Sequence, residues 1–373
     1  MGRRGAGGDG DPAAADGRRV RRCYIHVGLP KTGTSYLQSV LRHSEDALSA
    51  QGLDLLPGTP VGRRYLSVSL RGKLDPETDP PAAFRVLERL HEESGSAAGD
   101  RALISQEILG ALVPDQVRTL LDALPGYEPH VIVTVRDLAR TLPSGWQQET
   151  QSQSTTTLEE FVDEFVASGE QASRRRRRRV LQSVLDSWEH HVPAERVHVV
   201  TVPPPSAGPR VLLERFCAVI GVDPATLDLE VRRENAALGV VQAELLRRVN
   251  GALGDRLAHP RGGYQQQAKK YLAKQVLLAQ GGRSARLPES ARAWCDEASA
   301  DVIARLSEGG YHVVGDLEDL RPDPSAFAPA EESVTDAELL GAAVDAIAAM
   351  LVDRAGQSSA DVASGQDLGR SPS

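Results

Sequence analysis

The stretch CYIHVGLPKTGTSYLQSVL, residues 23–41, constrains this chain more than any other. A short apolar run, Tyr24–Val27, leads into a loop holding Gly28, Pro30, Lys31, Thr32, Gly33, Thr34 and Ser35, and a helical spacing of apolar residues follows. Glycine lets backbone N–H groups turn inward, and the N-terminus of the following helix adds the positive end of its dipole. A strand, loop and helix of this kind suit an anion, above all a phosphate. Gly28 and Gly33 have the separation of G-x-x-x-x-G-K-[ST], and Ser35 stands at its hydroxyl position. The lysine position, however, is Thr34, and the loop's lysine is Lys31, ahead of the second glycine. A Walker lysine reaches forward to the outer phosphates beside a magnesium ion, and a lysine three residues earlier is not assigned that reach.

The pattern that follows predicts an α/β fold: a P-loop-containing parallel β-sheet flanked by helices, with a mostly helical C-terminal part. Buried strands are expected at Tyr24–Val27, Ala102–Ser105, Val131–Val135 and Val197–Val202, all short and rich in β-branched residues. Helices are expected at Pro114–Leu124, after a capping box of Thr157 and Glu160, and at Val180–His191. Beyond residue 205 they are expected at Arg210–Ile220, Ala237–Leu253, Gln265–Leu278 and Pro288–Ser307. Gly58–Pro81 and Gln147–Thr157 read as loops able to shape a binding pocket. Arg321–Glu332 reads as a linker before a last helix, whose Leu339, Ala343, Ile347, Met350 and Leu351 form a packing stripe. The expected division is a disordered arm at 1–19, an α/β domain at 20–325, and a linker, helix and disordered tail at 326–373.

The chain has 373 residues, 40% hydrophobic and 25% charged, with net charge −8. That balance argues against a general nucleic-acid binder. No apolar run is long enough to predict a membrane span, and the N-terminus lacks the apolar segment of a signal peptide. Cys23, Cys217 and Cys295 are too few and too far apart for a disulfide framework, which fits a reducing cytoplasm. The run Arg174–Arg179 reads either as a solvated helix start or as a dock for an anionic acceptor. His190 and His191 are neighbours on a helix and so face different ways, which makes them a poor metal pair.

A second anion feature lies in VIVTVRDLARTLPSGWQQ. Arg136 follows the strand directly and Ser144 comes eight residues later. In a doubly wound sheet ligands sit beyond the carboxyl ends of the strands, so Arg136 is expected beside the first loop. A guanidinium grips phosphate through a fixed fork of donors. The alternative is an arginine paired with Asp137 or Glu149.

Taken together, LPKTGTSYL resembles the 5′-phosphosulfate loop of sulfotransferases, and VRDLARTLPS resembles their 3′-phosphate motif. ERVHVVTVPPPSAGPRVLLERFCAVIGVD resembles a later strand, loop and helix of that family, so the likeness extends over about residues 20 to 325. It implies an enzyme that takes a sulfuryl group from 3′-phosphoadenosine 5′-phosphosulfate (PAPS) and leaves adenosine 3′,5′-bisphosphate. It implies that Pro30, Lys31, Thr32, Gly33, Thr34 and Ser35 hold the 5′ side and that Arg136 and Ser144 hold the 3′-phosphate. Tyr36 takes the place where some members set a tryptophan against the adenine. Arg261, in Arg261-Gly262-Gly263, matches more loosely a later element that touches the 3′-phosphate.

Sulfuryl transfer is an in-line displacement in which charge grows on the bridging oxygen. A lysine ammonium such as Lys31 stabilises it without a metal. A base must take the acceptor's proton. In RALISQEILG the candidate is Glu107, with His26 as a second and more core-like contender. The rival readings are a non-catalytic nucleotide-binding protein on the same fold and a P-loop kinase using ATP. A small-molecule, lipid or carbohydrate acceptor is expected, and neither its identity nor the oligomeric state is written in these motifs.

Overall fold

The computed structural model describes residues 20–167, 181–230, 237–257, 263–329 and 333–366. The arm 1–19, the run Arg174–Arg179 and the site candidate Arg261 lie outside the described residues. β1 (Arg21–His26) sits inside a six-stranded parallel sheet with β2 (Leu53–Leu55), β3 (Arg101–Ser105), β4 (Tyr127–Val135), β5 (Val197–Thr201) and β7 (His312–Val314). The order is β2-β3-β1-β4-β5-β7, so the chain leaves β1 on one side and returns to build the other. The separate short strands β6 (Leu287–Pro288) and β8 (Phe327–Ala328) pair with each other. β8 lies in the segment expected to be only a linker.

Helices cover both faces of the sheet, because the strands alternate and are apolar on each side. Cys23 and Ile25 join Ile104, Val131, Val133, Val197 and Val199 on one face, covered by Leu66, Leu90, Val117, Val184 and Trp188. Tyr24 joins Leu103, Ile132 and Val200 on the other, covered by Leu37 and Leu41 of the helix Thr34–His43 and by Leu213 and Phe216 of the helix Pro209–Ile220. Truncating any such fully buried Leu or Ile to Ala costs about 2–5 kcal/mol. A third cluster, around Leu142, Trp146, Phe161, Leu246 and Leu277, seats the helix Leu138–Thr150.

Two regions read as loops are ordered further. Helix Pro60–Leu70 occupies much of Gly58–Pro81, opened by Thr59, whose side chain accepts from the Gly62 N–H, and by a proline in its first turn. Gln147–Thr150 is the end of the helix Leu138–Thr150 rather than loop. The capping box is present: Glu160 N–H donates to Thr157 Oγ1 at 3.1 Å and Thr157 N–H to Glu160 Oε2 at 2.8 Å. The last helix, Asp336–Gln366, continues past the point where a disordered tail was expected. Its buried residues are Leu339, Ala342 and Ala346, whereas Ile347, Met350 and Leu351 of the expected packing stripe are exposed.

Toward the amino-terminal ends of β4, β5 and β7 three imidazoles form a row. His130 Nδ1 is 2.9 Å from His198 Nε2, and His198 Nδ1 is 2.8 Å from His312 Nδ1. His130 Nε2 meets Glu128 Oε1 at 3.0 Å, and Glu128 also pairs with Arg196 at 2.8 Å. A carboxylate only accepts, so His130 donates to it and accepts at Nδ1 from His198 Nε2–H; His198 in turn accepts from His312 Nδ1–H. Burial pulls the His130 pKa down. It brings that of His198 to about 4, aided by the neighbouring His130 and His312.

Candidate functional site

β1, β3 and β4 end side by side at the opposite, carboxyl edge, and the loop of residues 27–33 rises from β1 between them. Val27 N–H donates to Ile132 O at 3.0 Å and Leu29 N–H to Thr134 O at 2.8 Å, so the loop's first residues remain tied to β4. Gly33 caps the helix Thr34–His43 in the left-handed region, at φ 87°, and brings no side chain to the first-turn N–H groups. That φ is one side chains rarely adopt, so glycine suits the position, and a Cβ there would also lie 2.5 Å from Leu212 Cδ2, the end of a side chain that would have to shift. Lys31 is exposed and has φ 68°, a left-handed conformation that is uncommon for a residue with a side chain.

Glu107 stands against this loop. It opens the turn after β3, and a Cβ on Gly28 would come within 3.0 Å of the Glu107 Cβ. Gln38, on the helix after the loop, donates from Nε2 to Glu107 Oε2 at 3.2 Å and to Ser105 O at 3.1 Å. The amide thereby fixes the carboxylate's position while leaving it half-buried.

Arg136 reaches across from the end of β4. Its Nη1 donates to Lys31 O at 2.9 Å and its Nη2 to Arg140 O at 2.8 Å. Ser144 Oγ donates to the same Arg140 carbonyl at 3.1 Å. Two candidate phosphate donors from different turns therefore converge on one oxygen. Arg136 Nε is buried and has no hydrogen-bond partner among the described residues. Burial, with the nearby Arg140 charge, lowers the guanidinium pKa to about 10, which still leaves it cationic at neutral pH. Asp137 does not take Arg136. It accepts from Arg140 N–H at 2.9 Å and pairs with the Arg140 Nε, while Arg140 Nη1 donates to Pro203 O at 3.0 Å.

No family model, curated protein or solved structure matches this chain.

Beneath the loop runs a closed internal chain. Thr32 Oγ1 donates to Leu29 O at 2.5 Å, so the Thr32–Thr134 contact of 2.5 Å takes its proton from Thr134. Thr134 in turn accepts from His26 Nε2 at 3.3 Å, and His26 Nδ1 accepts from Ser105 Oγ at 2.8 Å. Full burial brings the His26 pKa to about 3, so the ring is neutral, as this directional chain requires. His26 is thus a satisfied core histidine that supports the loop from below. Thr32, read as a donor-site residue, points its hydroxyl into this chain. Thr34 is likewise buried, Ser35 is exposed, Pro30 is partly exposed, and Tyr36 packs half-buried against the apolar cluster around Leu37.

The sequence reading missed Gln38, Thr134, Ser105 and Arg140. Only Arg140 left a signal, because Asp137 three residues earlier is a helix cap whose acid can meet an arginine one turn on. His190 and His191 each give a ring nitrogen to a backbone carbonyl, of Asp186 and Pro114 respectively. Among the described residues no helix is long and apolar enough to cross a membrane. Nor does any group of three or more His, Cys, Asp or Glu among them stand where it could hold a metal ion.

Proposed function

We propose that this chain is a PAPS-dependent sulfotransferase. Its acceptor is a hydroxyl or amine of a small molecule, lipid or carbohydrate in the cytoplasm. The observation that carries the reading is the convergence of Arg136 and Ser144 on the Arg140 carbonyl, with the other arm of Arg136 on the Lys31 backbone. One nucleotide with phosphates at two places needs two anion subsites a short way apart, and these residues supply them. The unpartnered, buried Arg136 Nε fits a bound anion, since a guanidinium held there lacks an acceptor that a phosphate oxygen provides.

The donor supplies the sulfuryl group and departs as adenosine 3′,5′-bisphosphate. The loop N–H groups from Gly33 onward and the Ser35 hydroxyl hold its 5′ side, in P-loop manner, at the N-terminus of the helix Thr34–His43. Lys31 brings an ammonium to the oxygen on which charge grows. Glu107 takes the acceptor proton, steadied by Gln38. The buried Thr32–Thr134–His26 chain holds the loop's floor.

The test is a binding titration followed by an assay. Adenosine 3′,5′-bisphosphate should bind tightly without magnesium, and ATP weakly whether or not magnesium is added. Labelled sulfate should then move from PAPS to members of an acceptor panel. Preferential magnesium-dependent ATP binding would replace this reading with a kinase. Tight bisphosphate binding without transfer in cell extracts would replace it with a non-catalytic binding protein.

A further inference from the structure

Over residues 340–351 the helix Asp336–Gln366 leaves one apolar stripe uncovered. It leans on the helix Val240–Leu253 and the π-helical turn Tyr264–Leu277 through Leu339, Ala342 and Ala346. Polar contacts fix it there: Arg283 pairs with Glu338 at 3.3 Å, Gln280 Nε2 donates to Ala342 O at 3.1 Å, and Tyr271 donates to Asp353 Oδ2 at 3.1 Å. Well away from that face stand Leu340, Val344, Ile347 and Leu351, exposed by 67%, 55%, 59% and 63%. Their spacing of four, three and four residues is the heptad spacing of a coiled-coil seam. The flanks, Gly341, Ala343, Ala348 and Met350, are uncharged and mostly small, so a second backbone can approach closely.

We propose that this seam is where a second copy of the chain docks, with the two helices antiparallel. Centring such a pair on the stripe sets Leu340 against Leu351 of the other copy and Val344 against Ile347, so the surface complements itself. The same register brings Asp336, at one end of the stripe, beside the other copy's Arg354, at its opposite end. Asp336 is 90% exposed even though it meets Arg248 at 3.1 Å, so it is accessible to a second arginine. Parallel helices would instead set like charges together.

Area sets the strength. Side chains of this size carry about 60–120 Å² of apolar surface each. Leu340, Val344, Ile347, Met350 and Leu351 from two copies thus bury roughly 600–1,200 Å² at most, the low end for specific interfaces. A surface of this size belongs with weak, transient and reversible associations. The polar side, with Glu338, Asp345 and Asp353, is acidic and disfavours an anionic bilayer as the occupant.

Sedimentation of the full chain across roughly 1–200 µM tests this. The mass should rise from that of one 40.0 kDa chain toward twice that value. Leu351→Glu, at an exposed position where the fold is not at stake, should hold it at one chain throughout. Asp336→Arg should shift the midpoint several-fold upward, and adding Arg354→Asp should bring it back. A single-chain mass at every concentration would overturn the proposal, as would a dimer indifferent to Leu351→Glu. A double charge swap that fails to restore association would overturn the antiparallel arrangement.

Discussion

Toward the amino-terminal ends of β4, β5 and β7, Glu128, His130, His198 and His312 hydrogen-bond to one another in a row. At the carboxyl edge Arg136 and Ser144 donate to main-chain carbonyls, and Arg136 keeps one buried N–H unmatched. The strands are the same, but the polar groups have different uses. Side chains that satisfy one another stabilise the fold and offer nothing to a ligand. Donors held on backbone oxygens can turn to a better acceptor at little cost, and an unmatched donor gains by it. At the carboxyl edge the incomplete hydrogen bonding of Arg136 leaves a donor that an anion can take.

Breaking the carboxyl edge should have the largest effects. Glu107→Gln keeps size and polarity but removes basicity, so turnover should fall by about 10²–10⁴-fold while adenosine 3′,5′-bisphosphate still binds. Near-normal turnover would remove Glu107 from the mechanism, and a fall in thermal stability alone would assign it to the loop's packing. Lys31→Ala should lower turnover by about 10²–10³-fold, far more than it weakens bisphosphate affinity. Equal losses in the two would place Lys31 in ground-state binding instead.

Arg136→Ala tests the anion subsite directly. A lost charge-assisted contact is worth about 1.5–3 kcal/mol, so calorimetry should show bisphosphate affinity falling about 10- to 150-fold. Adenosine 5′-phosphate, which lacks the 3′-phosphate, should bind the variant about as it binds the parent chain. An equal loss for both nucleotides would mean that Arg136 does not read that phosphate.

Thr134→Val probes the buried chain that links the edge to the core. It keeps the shape but leaves His26 Nε2 without its acceptor and Thr32 without a donor. Chemical denaturation should show a loss of about 1–3 kcal/mol. A neutral substitution would mean the chain does not hold the loop.

A further effect depends on pH and comes from the row of histidines together with His26. His198 has a folded pKa of about 4 and His26 one of about 3, both below the free value of 6.5. The unfolded state therefore binds more protons between those values, and stability falls as pH drops from 6.5 through about 4 and then about 3. Denaturation midpoints measured from pH 7 downward should show this slope, and His198→Asn should flatten its upper part. An unchanged slope in that variant would reject the row of histidines as its source.

β1, β3, β4 and β5 were legible in the sequence because they are apolar on both faces and rich in β-branched residues. β2 and β7 have three residues each, too few for any periodicity to show. The helix Pro60–Leu70 was hidden by its Gly and Arg content, although Thr59 and Pro60 carried its start signal. In the candidate site, glycine and lysine spacing marked the loop, and Arg136 was marked by its place directly after a strand with Ser144 eight residues on, since both patterns are local in sequence. Thr134, Ser105 and Gln38 act through partners 108, 79 and 69 residues away, separations that leave no local pattern. The apolar residues of the last helix were visible, but which of them pack was decided by neighbouring helices and not by their spacing alone.

The placement of β1 has a consequence for how the protein is made. The central strand is the first to leave the ribosome, yet His26 bonds to Ser105 and Thr134 across 79 and 108 residues, and Lys31 to Arg136 across 105. Contacts this distant in sequence pay their loop-closure entropy before they return any stability, so such pairing is slow. Until β3 has emerged both edges of β1 are open, and until β4 has emerged one of them still is, able to pair with another nascent chain. The earliest-synthesised part of the site is therefore among the last to be completed, and a chain truncated before Tyr127 carries the glycine loop without the strand that ties it down.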